Sequence, residues 1–409
     1  MVSAVGKLAG AASSLAIVLA LGLAQSANAS SPLQLTSDGS LGDVTFFNSG
    51  FLNTDNSAVY YTSNTGVAIF DHYVASSVVS QAGGPDVRVF NFSSLTINAN
   101  NSLTIFGSMP AALVATGDFN INGSIIVDSN KLAAGGDSQD GLGPTGGEVG
   151  SGHGRYVGDP CCGYDHSSGG GGGGNASAGQ QGEAGSLFVG FGPNGAGGLG
   201  GAASLQTGIL HGGGGGAGGV WGTDYYGYTA GGAGGAGGGA VLFETPGNIT
   251  IGALGSVTAN GDRGFDPNGG TGGAGGGGAG GDIWFDAGQT WTNYGVISAT
   301  GGAGGHGAVF DPVTNKLTSV SDGGFGAGGQ ILIDPQAIYN FGLIDLSDGG
   351  GGDGLGGHLT LVAPLIVNQG AIQGVAVSPT PEPGTWALML LGVGAAGAAL
   401  RRRRIVLAL

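Results

Sequence analysis

Short apolar segments alternating with polar or glycine positions run through the middle of this chain, and they predict strands. Between residues 95 and 128 the alternation is tight: Leu95-Thr96-Ile97, Leu103-Thr104-Ile105, Leu113-Val114, Phe119-Asn120-Ile121 and Ile125-Ile126-Val127, separated by Asn-rich or glycine turns. A period of two turns one set of side chains to a buried face and the other to solvent. Further on, five segments share a glycine, one variable residue and a mainly apolar triplet, at 185–189, 239–243, 281–285, 329–333 and 357–361. In three of them a second strand opened by glycine follows, at 255–259, 295–299 and 342–346. The first strands start 54, 42, 48 and 28 residues apart, so the loops vary while the strands persist. The repeating unit is therefore read as strand, turn, strand, long loop.

Constant strands joined by variable loops suit turns that stack on one another, because stacking constrains strand length and leaves loop length free. The expected fold is all-β, a parallel β-solenoid or β-helix over residues 95–378, with long glycine-rich loops between 131 and 360. Residues 30–94 carry Phe46, Phe47, Tyr60, Tyr61, Phe70 and Tyr73 and read as a β-rich cap over the first turn. A β-sandwich is the competing fold, but it needs strands of more even spacing. The body shows no amphipathic helix of useful length.

Glycine sharpens this picture. Residues 131–360 hold 79 of the 97 glycines. No strict G-X-Y period runs through them, which excludes collagen. Glycine loses the most backbone freedom on folding, so order has to come from the apolar strands, and the loops are expected to be protease-sensitive.

The two ends differ from the body. Lys7, an apolar run from Leu8 to Leu23 broken by Ser13 and Ser14, and Ala27-Asn28-Ala29 form a secretory signal over residues 1–29. Ala27 and Ala29 are the small residues that a signal peptidase reads, so the mature chain is expected to start at Ser30. At the other end, Pro381-Glu382-Pro383 precedes an apolar stretch, 385–400, and then Arg401, Arg402, Arg403 and Arg404. The prolines cannot continue a helix, and four arginines at a membrane edge resist translocation. A short transmembrane helix is expected at 385–400.

That order of motif, apolar helix and arginine cluster resembles the PEP-CTERM sorting tail of Gram-negative bacteria, with Ile405 to Leu409 running on beyond the arginines. The resemblance covers residues 379–409. It implies handling by a membrane exosortase, transient anchoring in the inner membrane, and a role linked to exopolysaccharide and biofilm. The partners implied are exosortase and signal peptidase during export, with exopolysaccharide afterwards.

Charge removes one class of partner. The body carries five basic residues against 25 acidic ones, a net charge of −20. Nucleic-acid binding needs a basic footprint, so no DNA or RNA partner is expected. Cys161 and Cys162 are the only cysteines; as neighbours they staple no loop. His153, Asp159, Asp165 and His166 lie near them, without a recognised zinc spacing.

Candidate chemistry is sparse. No phosphate loop and no G-x-S-x-G elbow occur, and chance GxGxxG matches carry no weight in glycine-rich sequence. Residues 277–285 match the calcium β-roll nonapeptide once, through Asp282; the other strands place Ser186, Ala240, Gln330 and His358 there. Calcium rolls need tandem copies, so the plainer reading is a turn before a strand, and calcium through Asp282 is the one weak metal or cofactor candidate. Asp282, Asp286, Asp345 and Asp348 lie where a carboxylate pair of a polysaccharide-active enzyme would form, but they also suit turns. An ice-binding face should show ranks of identical Thr, and Thr is scattered along the chain. The function expected is therefore structural and not enzymatic: a secreted or surface-displayed protein of the envelope, matrix or biofilm. A β-helix lyase or glycosidase, or an adhesin binding carbohydrate or calcium, is the alternative.

Overall fold

The computed structural model describes residues 33–62, 68–127, 169–183, 202–203, 208–219, 222–224, 227–229, 231–267, 273–310, 317–320, 322–350 and 356–375. Among them the chain is all-β, with no helix. The signal segment with Ala27 and Ala29, the cysteine segment, the 185–189 segment and the whole sorting tail lie outside the described residues.

Three ladders of parallel strands organise the body. The first runs Val87–Phe92, Ala111–Ala115, Ala240–Thr245, the front half of Asp282–Asn293, the front half of Gln330–Asn340, and His358–Leu361. The second runs Asp43–Phe46, Ser94–Ile97, Phe119–Ile121, Ile249–Ile251, the rear halves of the two long strands, and Leu365–Asn368. The third runs Gly50–Asn53, Ser102–Phe106, Ser124–Val127, Ser256–Thr258, Val296–Ser298, Leu343–Asp345 and Ala371–Gln373. The chain visits them in that order and then returns to the first.

The repeating unit thus has three strands, not the two expected from sequence. The missed one is a three-residue strand (Ile249–Ile251) or is fused into a longer strand across a bulge between Ala287 and Thr290. Parallel pairing also begins upstream of residue 95, at Asp43–Phe46.

Period-two alternation determines what lies inside. Leu95, Ile97, Phe119, Ile121, Ile249, Ile251 and Trp291 line the second ladder, and all are fully buried. Phe243, Phe285, Ile297 and Ile344 join them in one apolar cluster between the ladders. Phe243 stacks on Phe285 at 5.1 Å and meets Phe119 edge-on at 5.7 Å, geometries that add to plain area burial. At the corner between the second and third ladders an amide ladder runs along the stack: Asn293 donates to Asn340 at 2.9 Å, and Asn340 to Asn368 at 2.8 Å. The outer side of the first ladder has a second apolar layer, with Leu242 and Trp284 covered by Leu33, Leu35 and Leu210. Antiparallel strands close the front of the stack, Ser77–Val79 on the first ladder and Ala58–Thr62 with Ala68–Tyr73 on the third.

Where they are described, the glycine excursions are held to one another by backbone hydrogen bonds. In the 273–281 segment, Gly275 and Gly278 donate to Phe265 and Asp262, Gly276 and Ala279 to Ala217 and Gly214, and Gly277 and Gly280 to Gly324 and Ala327. Successive amides thus address three different neighbouring segments, and every third amide returns to the same one. That is the habit of an extended three-residue helix, which has no internal hydrogen bonds and needs partners from outside. The same step of three links Gly213, Gly216 and Gly219 to Gly238, Gly235 and Gly232, which in turn donate to Ala279, Gly276 and Gly273. Most of these residues are buried, so every such bond answers an obligatory polar group. Glycine is required for space: a Cβ on Gly216, Gly235, Gly276 or Gly278 would overlap a neighbouring carbonyl oxygen, and none of the four has a left-handed φ.

Candidate functional site

The parallel register stacks three carboxylates on the outer side of the first ladder. Glu244 pairs with Asp286, and Asp286 with Asp334. Their neighbours Phe243, Phe285 and Ile333 point inward, which turns the acids outward in consecutive turns. Adjacent strands lie about 4.8 Å apart, so the outer two acids are about 10 Å apart along the column.

Two shallow cavities meet along this column. One, of about 450 Å³, is lined by Leu35, Thr36, Val114, Glu244 and Asp286; the other, of about 350 Å³, by Asp286, Asp334, Gln336 and Pro364. They share Asp286 and Gly288, and among the described residues neither is lined by Lys or Arg. Burial pushes the Glu244 carboxyl up to about 7; a backbone hydrogen bond from Leu35 opposes the rise and the Asp286 charge adds to it. Its Oε2 has no partner among the described residues. Burial, then the same Asp286 charge, pushes Asp334 up to about 6. Carboxylates about one strand spacing apart suit a nucleophile and acid pair, and those two spacings apart leave room for a water.

Asp282 is placed differently. It is fully buried where the glycine segments meet the first ladder. The backbone N–H of His211 reaches its Oδ2 at 3.1 Å, Asn175 Nδ2 reaches Oδ1 at 3.3 Å, and the His211 ring stands 3.9 Å from Oδ2. Gln330 closes the cluster by donating to Asn175 at 3.2 Å. Burial raises the Asp282 carboxyl to about 6, with His211 and Asn175 holding it back. Both oxygens are engaged by protein, and among the described residues no group of three or more His, Cys, Asp or Glu gathers to hold a metal. The arrangement ties the 175 and 211 segments to two turns of the first ladder.

Of the other sequence candidates, Asp345 accepts from the Ser347 backbone at 3.0 Å and hydroxyl at 2.6 Å, and Asp348 accepts from the Gly350 backbone at 3.1 Å. Both are turn carboxylates. His153, Asp159, Cys161, Cys162, Asp165 and His166 lie outside the described residues, as do Pro381, Glu382, Pro383 and Arg401 to Arg404. Arg88 spends its guanidinium on the Thr54 and Asp55 carbonyls and the Ser76 hydroxyl.

Sequence reasoning named Asp286 but missed Glu244 and Asp334. A signal was present: each of the three stands five residues after the glycine that opens its strand, Gly239, Gly281 and Gly329. It also missed a threonine column. Register aligns Thr45 with Thr96, and Thr250 with Thr292, with Asn120 between the two pairs. The column is one residue wide, flanked by Asp43 and Ser94 in its first two turns.

No curated protein and no solved structure matches the chain. Residues 379–404 match the family model of the PEP-CTERM protein-sorting motif, a substrate signal for exosortase processing that marks the chain for export to the cell envelope.

Proposed function

We propose that the chain is a structural protein of the cell surface, matrix or biofilm, built as a parallel β-solenoid and delivered by an exosortase. The sorting motif at 379–404 is the observation that carries this reading. The body supports it: three parallel ladders pack around one apolar interior, with an interlocked glycine lattice alongside. In this proposal residues 1–29 are removed by signal peptidase, and 385–400 crosses the inner membrane until the exosortase acts at Pro381-Glu382-Pro383. Fractionation of the native host tests it. With the exosortase present, the protein belongs in the outer-surface or extracellular fraction at reduced size. Replacement of Pro381, Glu382 and Pro383 by alanine should hold it at full length in the inner membrane. An unchanged size and distribution would contradict the reading.

The carboxylate column favours a second reading, action on a carbohydrate. Glu244, with its pKa near 7, has the character of a general acid at neutral pH, and Asp286 beside it that of a nucleophile or base. The three carboxylates along the lining would repel an acidic glycan and so favour a neutral one. Hydrolysis of neutral β-glucans that drops 10²–10⁴-fold in Glu244→Gln would establish it. Equal rates in parent and variant would dismiss it.

A further inference from the structure

The two ends of the stack are built differently. Antiparallel strands close the first and third ladders at the front. At the back, among the described residues, His358–Leu361, Leu365–Asn368 and Ala371–Gln373 pair only with the turn before them. Leu365 and Ile366 are 46% and 44% exposed, and Leu359, Leu361 and Ile372 are only partly covered. The amide ladder also terminates here, at Asn368. Proteins blunt such edges with charged side chains, because an open strand edge templates pairing with another chain. This one has none: residues 356–375 contain no Asp, Glu, Lys or Arg, in a body of net charge −20.

We infer that the back end of the stack is a self-association face, and that its occupant is the same end of a second copy. Two copies of an acidic protein repel where their acidic surfaces face each other, and at this end they meet without like charges on residues 356–375. A two-fold axis across the end sets Leu365–Asn368 of one copy antiparallel to the same strand of the other, and the first ladder of each against the third of its mate. That is an isologous, self-closing contact. The chain's own continuation is poorly suited to the place, since Pro379, Pro381 and Pro383 remove alternate ladder donors. The inference goes beyond the surface-protein reading and does not depend on the sorting route.

The test is the mass of the full exported chain in mild detergent, by light scattering across a concentration series. The parent should be a dimer that dissociates on dilution, and Ile366→Lys, on an exposed position, should be monomeric. Leu365→Lys should repeat that result, with an unchanged circular dichroism spectrum in both variants. Val78→Lys, on the front cap, should stay dimeric. A monomeric parent, as when the chain's own tail covers the end, would overturn the inference. So would a dimer indifferent to both lysines, or one lost with Val78→Lys.

Discussion

Gly278 and Gly42 are glycines for opposite reasons. Gly42 has φ +71° and nothing within 4 Å of where a Cβ would stand; Gly278 has no left-handed φ, but a Cβ would overlap the Ala236 carbonyl. Asn tolerates the left-handed region and needs space, so Gly42→Asn should cost a few tenths of a kcal/mol, whereas Gly278→Ala should cost about 1–3 kcal/mol through overpacking. Denaturant titration of both variants checks this; equal losses would remove the steric argument. Glu244 makes a second prediction. Its folded pKa, about 7, lies above the ordinary 4.5, so the unfolded chain gives up that proton first. Stability from this group is intact below pH 4.5, falls as pH rises toward 7 and is lost above it. Asp334 and Asp282, each raised to about 6, act in the same direction. Melting temperature should therefore drop between pH 5 and pH 8, and Glu244→Gln should flatten part of the drop. A variant as steep as the parent would contradict the burial of Glu244.

At the scale of elements, strands were readable where their period of two was unbroken. Leu95/Ile97, Leu103/Ile105 and Phe119/Ile121 are buried as the alternation required. The middle strand escaped because Asp282–Asn293 and Gln330–Asn340 carry it without a break, and in Gln330–Asn340 the inward positions change parity, from Ile331 and Ile333 to Ile338 and Asn340. The amide ladder left a trace in Asn293-x-Gly295, Asn340-x-Gly342 and Asn368-x-Gly370, each starting on the last residue of a second-ladder strand. Ile297, fully buried between Val257 and Ile344 in register, tests the stacking. Ile297→Asp introduces an unpaired charge there and should cost about 4 kcal/mol or more. Loss of β-signal by circular dichroism is expected; a spectrum and melting curve like the parent's would place Ile297 outside the core.

For the whole molecule, the sorting motif was legible in the sequence and the register of the body was not. A sorting signal is read by other proteins as a linear text, so Pro381-Glu382-Pro383 and Arg401 to Arg404 are visible without a fold. The carboxylate column exists only in register, across separations of 42 and 48 residues. The glycine lattice was hidden for another reason: residues without side chains carry no burial pattern, and disorder and dense packing look alike in composition. Residues Asn28–Ala376 form one compact unit, and its order is what the account most depends on. Hydrogen exchange of the exported protein, followed by mass spectrometry over peptides spanning 212–219, 231–239 and 273–281, measures that order directly. Amides held by neighbouring segments should exchange as slowly as those of Asp282–Asn293, over hours. Complete exchange of the glycine peptides within seconds, beside protected strands, would show that the lattice does not exist.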